Sequence, residues 1–297
     1  MRMVDVRRPD VPGLKKDSPG AFENPVWNGR DARIGGKHMA PTFEALWDEA
    51  AARLSAKGVA PPPLPPAPSQ PVIPPDPALL PTLMDETLLR PEATPEEMDA
   101  FLRASRDFPF ATVCVHGAFV SRARDVLSGT KTGVAAVVGF PHGASDARAK
   151  ASEGRLAAAD GASEIDMVGP IGLLRGGDFV RYLDHVEAVR EAAPGLTLKV
   201  ILETAALTPL EIVEGSMLSV LGRADFVKTS TGFGPGGATV EAVALMRHTV
   251  GSGVGVKAAG GIRDITTLLA MVAAGASRIG TSRGHAICEG LETGRRP

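Results

Sequence analysis

From Thr82 to Thr281, short β-branched runs alternate with Ala-rich amphipathic segments, and the alternation repeats eight times. The predicted strands are Thr82–Leu89, Ala111–Val115, Val134–Phe140, Glu164–Val168, Leu198–Glu203, Asp225–Ser230, Val254–Ala258 and Arg278–Thr281. Each gap has room for one helix, so every unit reads as a strand, a crossover helix and the next parallel strand. Thr94-Pro95-Glu96-Glu97 and Thr208-Pro209-Leu210-Glu211 combine a Thr cap, Pro at the first helical position and a returning Glu. Gly161, Gly222 and Gly275 each stand where a helix gives way to a strand. Such alternation builds either a doubly wound open sheet or a closed barrel, and periodicity alone does not separate them. Eight units in roughly 215 residues, with no second folded domain, favour an α/β fold of the (β/α)8 TIM barrel type.

Ahead of this barrel, 11 of the chain's 25 prolines fall between Pro61 and Pro81. Fixed φ and missing N–H groups make that stretch a semi-rigid spacer. The division predicted is therefore an N-terminal extension over 1–60, a Pro-rich linker over 61–81 and a catalytic barrel over 82–297. Within the extension, Phe43, Leu46, Trp47, Ala50 and Leu54 recur at helical spacing, which predicts a helix over about 41–57 with Gly58 behind it. Both tryptophans, Trp27 and Trp47, lie in the extension, which reads as an arm docking on the barrel or on a second subunit.

A net charge of −2 leaves no electrostatic footprint for nucleic acid or an anionic membrane. No apolar run is long enough to span a bilayer, and no signal-peptide core follows Met1. Two cysteines, Cys114 and Cys288, fit a reducing cytoplasm rather than a disulfide framework. The expected partners are thus small molecules, with neither nucleic acid nor membrane, and a homo-oligomer stays open.

In a barrel of this kind the site lies at the carboxyl ends of the strands. The polar residues there are Asp85, Cys114, Asp166, Glu203, Lys228 and Lys257. Only nine residues of the chain are lysine, yet Lys228 and Lys257 occupy the same late position on neighbouring strands. Burial and mutual repulsion both lower a lysine pKa, and a neutral amine attacks carbonyls to give an electron-withdrawing iminium. Which of the two is the nucleophile stays open on this ground, as does a salt bridge to Asp166 or Glu203. Asp166 or Asp85 would move protons. Lys199 reads as a polar-layer residue and Cys114 as packing beside the pocket.

Gly260-Gly261 and Gly280-Thr281-Ser282 follow the last two strands, where glycine admits backbone N–H groups to a phosphate and the next helix adds its positive end. Arg283 offers a clamp for the same group. A competing motif, Gly232-Phe233-Gly234-Pro235-Gly236-Gly237, satisfies a dinucleotide fingerprint and would make the chain an NADP-dependent oxidoreductase. The next strand, however, ends in Lys257 where that fingerprint wants an acid. No histidine pair has zinc-ligand spacing, so neither a metal nor another cofactor is expected.

Five segments then carry a specific likeness: Asp85-Glu86-Thr87-Leu88-Leu89-Arg90-Pro91, Val138-Gly139-Phe140-Pro141-His142-Gly143, Glu164-Ile165-Asp166-Met167-Val168, Phe226-Val227-Lys228-Thr229-Ser230-Thr231-Gly232-Phe233 and Val256-Lys257-Ala258-Ala259-Gly260-Gly261-Ile262-Arg263. From about Met84 to Ile287 the chain resembles the 2-deoxyribose-5-phosphate aldolases. The resemblance implies a metal-free class I aldolase, a lyase of deoxyribose phosphate catabolism. Such an enzyme reversibly cleaves 2-deoxy-D-ribose 5-phosphate to D-glyceraldehyde 3-phosphate and acetaldehyde. It implies that Lys228 forms the Schiff base, that Lys257 depresses its pKa and that Asp166 relays protons. Asp85, Thr87, Cys114, Thr231, Gly232, Gly260, Gly261, Gly280, Ser282 and Arg283 would line the sugar or its phosphate. A Schiff-base aldolase with another aldehyde acceptor is the nearest alternative. The chain departs from the family at Gly169-Pro170, where an Asn is usual, and at Arg283, where many members carry a small residue.

Overall fold

The computed structural model describes residues 41–68 and 77–293. Its strands are β1 (Met84–Thr87), β2 (Thr112–Val115), β3 (Gly133–Val138), β4 (Glu164–Val168), β5 (Thr197–Ile201), β6 (Phe226–Lys228), β7 (Gly255–Ala259) and β8 (Arg278–Thr281). They lie parallel, in sequence order, in one closed barrel. Closure is direct, because β8 pairs with β1 through Ile279 opposite Met84 and Gly280 opposite Asp85. The ring removes the open-sheet alternative.

The helices are α1 (Phe43–Ala56), α2 (Pro95–Ser105), α3 (Val120–Val126), α4 (Ala147–Asp160), α5 (Ile171–Arg175), α6 (Phe179–Ala192), α7 (Pro209–Leu221), α8 (Val240–Val250), α9 (Ile265–Ala273) and α10 (Gly284–Thr293). Thr94 and Thr208 both close the expected capping boxes, with Glu97 and Glu211 reaching back to the cap N–H. Gly161 ends α4 at φ 99°, as a left-handed cap should. Gly222 ends α7 as expected, but without the left-handed turn. Gly222 has φ −73°, and Arg223 takes the left-handed turn at φ 63°. Glycine is required at 222 for space, since a Cβ there would come within 2.5 Å of Val186.

Strand residues alternate between two environments. Val113, Val115, Ile165, Met167, Leu198, Val200, Val227, Val256, Ala258 and Ile279 are fully or almost fully buried in the apolar clusters that the strands share with the helices. Residues between them enter the barrel, where Cys114, Ala135 and Val137 form a small apolar cluster of their own. Asp85, Glu164, Asp166, Lys199, Lys228, Lys257 and Arg278 share that inward face, which sets up the site.

Helix α1 covers the predicted stretch. It buries Leu46, Trp47, Ala50 and Leu54 against α7 and α8, and its Phe43 ring stands 5.6 Å from that of His248. Its host surface is therefore the barrel of the same chain. Trp27 lies outside the described residues. In the proline-rich stretch, Pro77–Leu83 forms a 3-10 helix with Leu80 buried. That departs from the expectation that this stretch excludes helix. A φ near −65° suits 3-10 geometry, and short turns tolerate the missing donors. Among the described residues, no helix is long and apolar enough to cross a membrane.

Candidate active site

The barrel's interior holds a chain of alternating charges whose members come from six strands, β1 and β4 to β8. Lys228 and Lys257 stand opposite one another in the β6–β7 pairing, Asp166 opposite Lys199 in β4–β5, and Lys257 opposite Arg278 in β7–β8. Residues in register on neighbouring parallel strands share a face, so all of these point inward.

Asp166 is the hub. Its Oδ1 accepts from Lys199 Nζ at 2.7 Å, while Oδ2 accepts from Lys228 at 2.7 Å and from Lys257 at 2.6 Å. Asp85 extends the chain: its Oδ2 takes Lys257 at 2.5 Å and its Oδ1 takes Arg278 at 2.7 Å. At the floor, Glu164 pairs with Lys199 and with Arg278. Asp85, Asp166, Lys199 and Lys257 are fully buried and Lys228 nearly so, while Glu164 and Arg278 are half-buried. Buried ions survive only in such company, because each one alone costs several kcal/mol to desolvate.

This network holds four cations and three carboxylates, and the imbalance falls on Lys228. Asp166 is its one carboxylate partner and is shared with two other ammoniums. Burial, then the charge of Lys257, lower its pKa further than Asp166 restores it. Lys257 goes the other way. Burial opposes its charge, but Asp166 and Asp85 together outweigh that and hold the ammonium. Lys199 is likewise held charged, against burial, by Asp166 and Asp85. The lysines sit beside one another as expected, and the carboxylates decide that only one of the pair is depressed. For Asp166, burial alone would raise the carboxyl, but the three lysines hold it far below the usual carboxylate range.

Depth separates the lysines as well. Lys228 keeps 4% of its side chain exposed, whereas Lys199 and Lys257 keep none. The amine nearest deprotonation is thus also the one that reaches the mouth. Cys114 lies beside the hub, its Sγ 3.9 Å from Asp166 Oδ2, and burial together with that carboxylate pushes the thiol up to about 11. It is a packing thiol next to the amines. Thr87 stands opposite Cys114 at the end of β1 and turns its hydroxyl back onto the Asp85 carbonyl at 2.9 Å.

The remaining predicted residues divide into two groups. Gly232, Gly260 and Gly261, at φ 87°, 87° and 81°, form adjoining turns beyond β6 and β7. Ala238 N donates to Gly260 O at 3.0 Å and joins the two loops. Ser282 and Arg283 are exposed beyond β8, beside them in strand order. Gly280, by contrast, is buried inside β8, where a Cβ would fall 3.0 Å from Lys257 Cε, so its missing side chain makes room for the lysine stem. Thr231 is buried, and Glu203 and the Phe233 N–H engage its hydroxyl. One first-turn N–H of each helix that follows is engaged within the protein. Thr239, Asp264 and Glu86 already accept from the first turns of α8, α9 and α10.

The dinucleotide motif fails on the same geometry. The run Gly232–Gly237 does not open a helix: Thr239 caps α8, and the run folds back on Glu203 and Gly260. Gly169 packs against Tyr182, whose Oη would lie 2.7 Å from any Cβ there, and Pro170 leads into α5. Sequence reasoning missed Glu164 and Arg278 in the network. Both open strands, and both sit on the inward face two residues before Asp166 and Gly280, a spacing that could have revealed them.

Comparison with known proteins shows the family. The family described as DeoC/LacD family aldolase matches residues 84–296. A deoxyribose-phosphate aldolase of Brevibacillus brevis is 51% identical over 210 residues, 71% of this chain and 95% of the relative. Among solved structures, the aldolase QR15 has a TM-score of 0.70 at 34% identity, over 72% of this chain and 96% of its own. The tetrameric deoxyribose phosphate aldolase of Aeropyrum pernix has a TM-score of 0.68 at 25% identity, over 86% of this chain and all of its own. With its barrel, its interior lysines and a family match across nearly the whole of that barrel, the chain belongs to the DeoC/LacD family of aldolases.

Proposed function

We propose that the chain reversibly cleaves 2-deoxy-D-ribose 5-phosphate to D-glyceraldehyde 3-phosphate and acetaldehyde through a Schiff base on Lys228. The observation that carries this reading is the sharing of Asp166 by three lysines, which leaves Lys228 both short of negative charge and nearest the mouth. The names of the relatives supply the substrate.

In the cleavage direction the neutral Lys228 amine adds to the C1 carbonyl of the open-chain sugar, and loss of water gives the iminium. A base removes the C3 hydroxyl proton. The C2–C3 bond then breaks, its electrons pass into the iminium to form an enamine, and C3 leaves as the aldehyde of glyceraldehyde 3-phosphate. Protonation at C2 and hydrolysis release acetaldehyde and return the amine. Asp166, held ionised among ammoniums, carries no proton of its own near neutral pH. It serves the relay by passing on a proton from Lys257, to which its Oδ2 is bonded at 2.6 Å. Asp85 holds Lys257 from the other side. The phosphate would rest on the turns at Gly232, Gly260 and Gly261 and against Ser282 and Arg283, on the β6–β8 side of the mouth.

Borohydride reduction in the presence of substrate should trap one covalent adduct, located on Lys228 by peptide mapping. Trapping that persists undiminished at the same peptide in Lys228→Arg would overturn the assignment.

A further inference from the structure

Glu203 stands out on three independent grounds. It leaves β5 with φ 59° and ψ 59°, a left-handed conformation that residues other than glycine seldom take and that gathers at functional sites. It is 3% exposed, and its carboxylate sits beneath the loop that follows β6 rather than in the lysine network. Moreover, among the described residues Oε1 has no hydrogen-bond partner, while Oε2 receives two bonds from a single residue, Thr231.

The contacts form a seat. Thr231 donates its hydroxyl to Glu203 Oε2 at 2.5 Å and its backbone N–H to the same oxygen at 3.2 Å. The hydroxyl in turn accepts from Phe233 N at 3.0 Å. Gly234 lies directly on the carboxylate, where a Cβ would stand 2.6 Å from Glu203 Cδ. Two backbone bonds, Leu202 N to Lys228 O and Thr204 N to Thr229 O, both 2.9 Å, tie the exit of β5 to that of β6 on either side of Glu203. Between Thr231 and Phe233 stands Gly232, at φ 87°. The carboxylate therefore fixes the curvature of a turn that begins three residues after Lys228.

We propose that Glu203 is a positioning residue: through Thr231 it holds the Gly232 turn in the shape that receives the phosphate of the substrate. This rests on the reading of that turn given above, and it gives an indirect role to two residues. Glu203 touches no substrate, and Thr231, whose hydroxyl and N–H both go to Glu203, acts by holding Gly232 rather than by binding the phosphate itself. A strained backbone is tolerated at Glu203 because an extended residue there would carry its side chain along the inward face of β5 instead of under the neighbouring loop.

The test is Glu203→Gln, which keeps size but replaces an acceptor that is charged when ionised, assayed on 2-deoxyribose 5-phosphate and on unphosphorylated 2-deoxyribose. The expected result is a rise in KM of about tenfold for the phosphorylated sugar, with kcat and the KM for the free sugar moving by less than about threefold. Equal losses on both sugars, or no loss on either, would overturn the proposal. Should Glu203→Gln fold poorly, Thr231→Val removes the hydroxyl bond at constant volume and should show the same split, with Thr231→Ser restoring wild-type behaviour. A Thr231→Ser variant as impaired as Thr231→Val would count against the proposal. Failure of the Schiff-base reading is visible separately, as absence of a borohydride adduct in the wild type. Calorimetric binding of glyceraldehyde 3-phosphate to wild type and Glu203→Gln would still decide the role of Glu203.

Discussion

Lys228 and Lys257 donate to the same oxygen, Oδ2 of Asp166, at 2.7 and 2.6 Å, from opposed positions on neighbouring strands. One carboxylate carries a single negative charge, and Lys199 shares it as well. The second carboxylate, Asp85, goes to Lys257 alone of the two, so the shortage falls on Lys228.

Removal of Lys257 tests that asymmetry. Lys257→Met deletes the positive neighbour that lowers the Lys228 pKa and leaves Asp166 Oδ2 to Lys228. The Lys228 pKa should rise, and since the neutral amine is the reactive form, the acid limb of the kcat/KM profile should move to higher pH. Activity at pH 7 should fall by at least about a hundredfold. A pH profile measured with saturating and limiting substrate checks this. An unmoved limb would show that Lys257 does not act through the charge of Lys228.

Asp166 and Asp85 make the barrel acid-sensitive. Both are held below the usual carboxylate range by lysines, and Arg278 contributes at Asp85, despite the opposing effect of burial. A depressed folded pKa means stability that is present above the unfolded value near 4 and is lost as pH falls toward the folded one. Urea unfolding should therefore show a steep loss of stability below about pH 4. Asp166→Asn should cost about 3–5 kcal/mol at pH 7, because three buried ammoniums lose their common counter-ion. A loss under about 1 kcal/mol would mean that the lysines had already shed their protons.

The fold was legible in the sequence because strand and helix ends carry local chemistry. Thr94 and Thr208 announce their capping boxes, and Asp166 and Lys228 break otherwise apolar runs where a side chain must face a common centre. The distribution of carboxylates and the seat under the β6 loop were not legible. Each depends on residues far apart in the chain: Asp85 meets Lys257 across 172 positions and Gly284 meets Glu86 across 198. Glu203 was visible as a polar strand end. Nothing local indicated its left-handed turn, since that conformation arises from how β5 and β6 exit the barrel together. The contact of Gly280 with the Lys257 stem was hidden for a similar reason, because only the packed barrel brings the two together.

The arm has its own titration. On α7, Glu214 lies buried beneath α1 with Arg53 Nε 3.0 Å away, and burial, partly offset by Arg53, pushes its carboxyl up to about 7. A raised folded pKa means that the folded state holds the proton more tightly than the unfolded one. Stability from this group is then full below the unfolded value and falls as pH rises toward about 7. Glu214→Gln should flatten that part of the curve, read as thermal midpoint against pH between 5 and 8. Emission from Trp47, buried beside the same helix face, should follow the change if α1 loosens when Glu214 ionises. A curve of unchanged slope in Glu214→Gln would assign the pH dependence elsewhere.

Arg283 follows β8 immediately, and its backbone N donates to Thr281 Oγ1 at 3.0 Å, which fixes the main chain while leaving the guanidinium exposed. Glu86 already fills the Gly284 N–H at the head of α10. Among the described residues beyond β8, the exposed positive side chain is that of Arg283. A planar guanidinium can grip two phosphate oxygens at once, a bond pair that Ser cannot replace. Arg283→Ser should raise KM for 2-deoxyribose 5-phosphate by about tenfold or more and leave that for free 2-deoxyribose nearly unchanged. The effect should shrink as ionic strength rises, because an exposed charge pair is screened. Equal effects on the two sugars, or an effect indifferent to salt, would remove Arg283 from phosphate recognition and leave that task to the glycine turns.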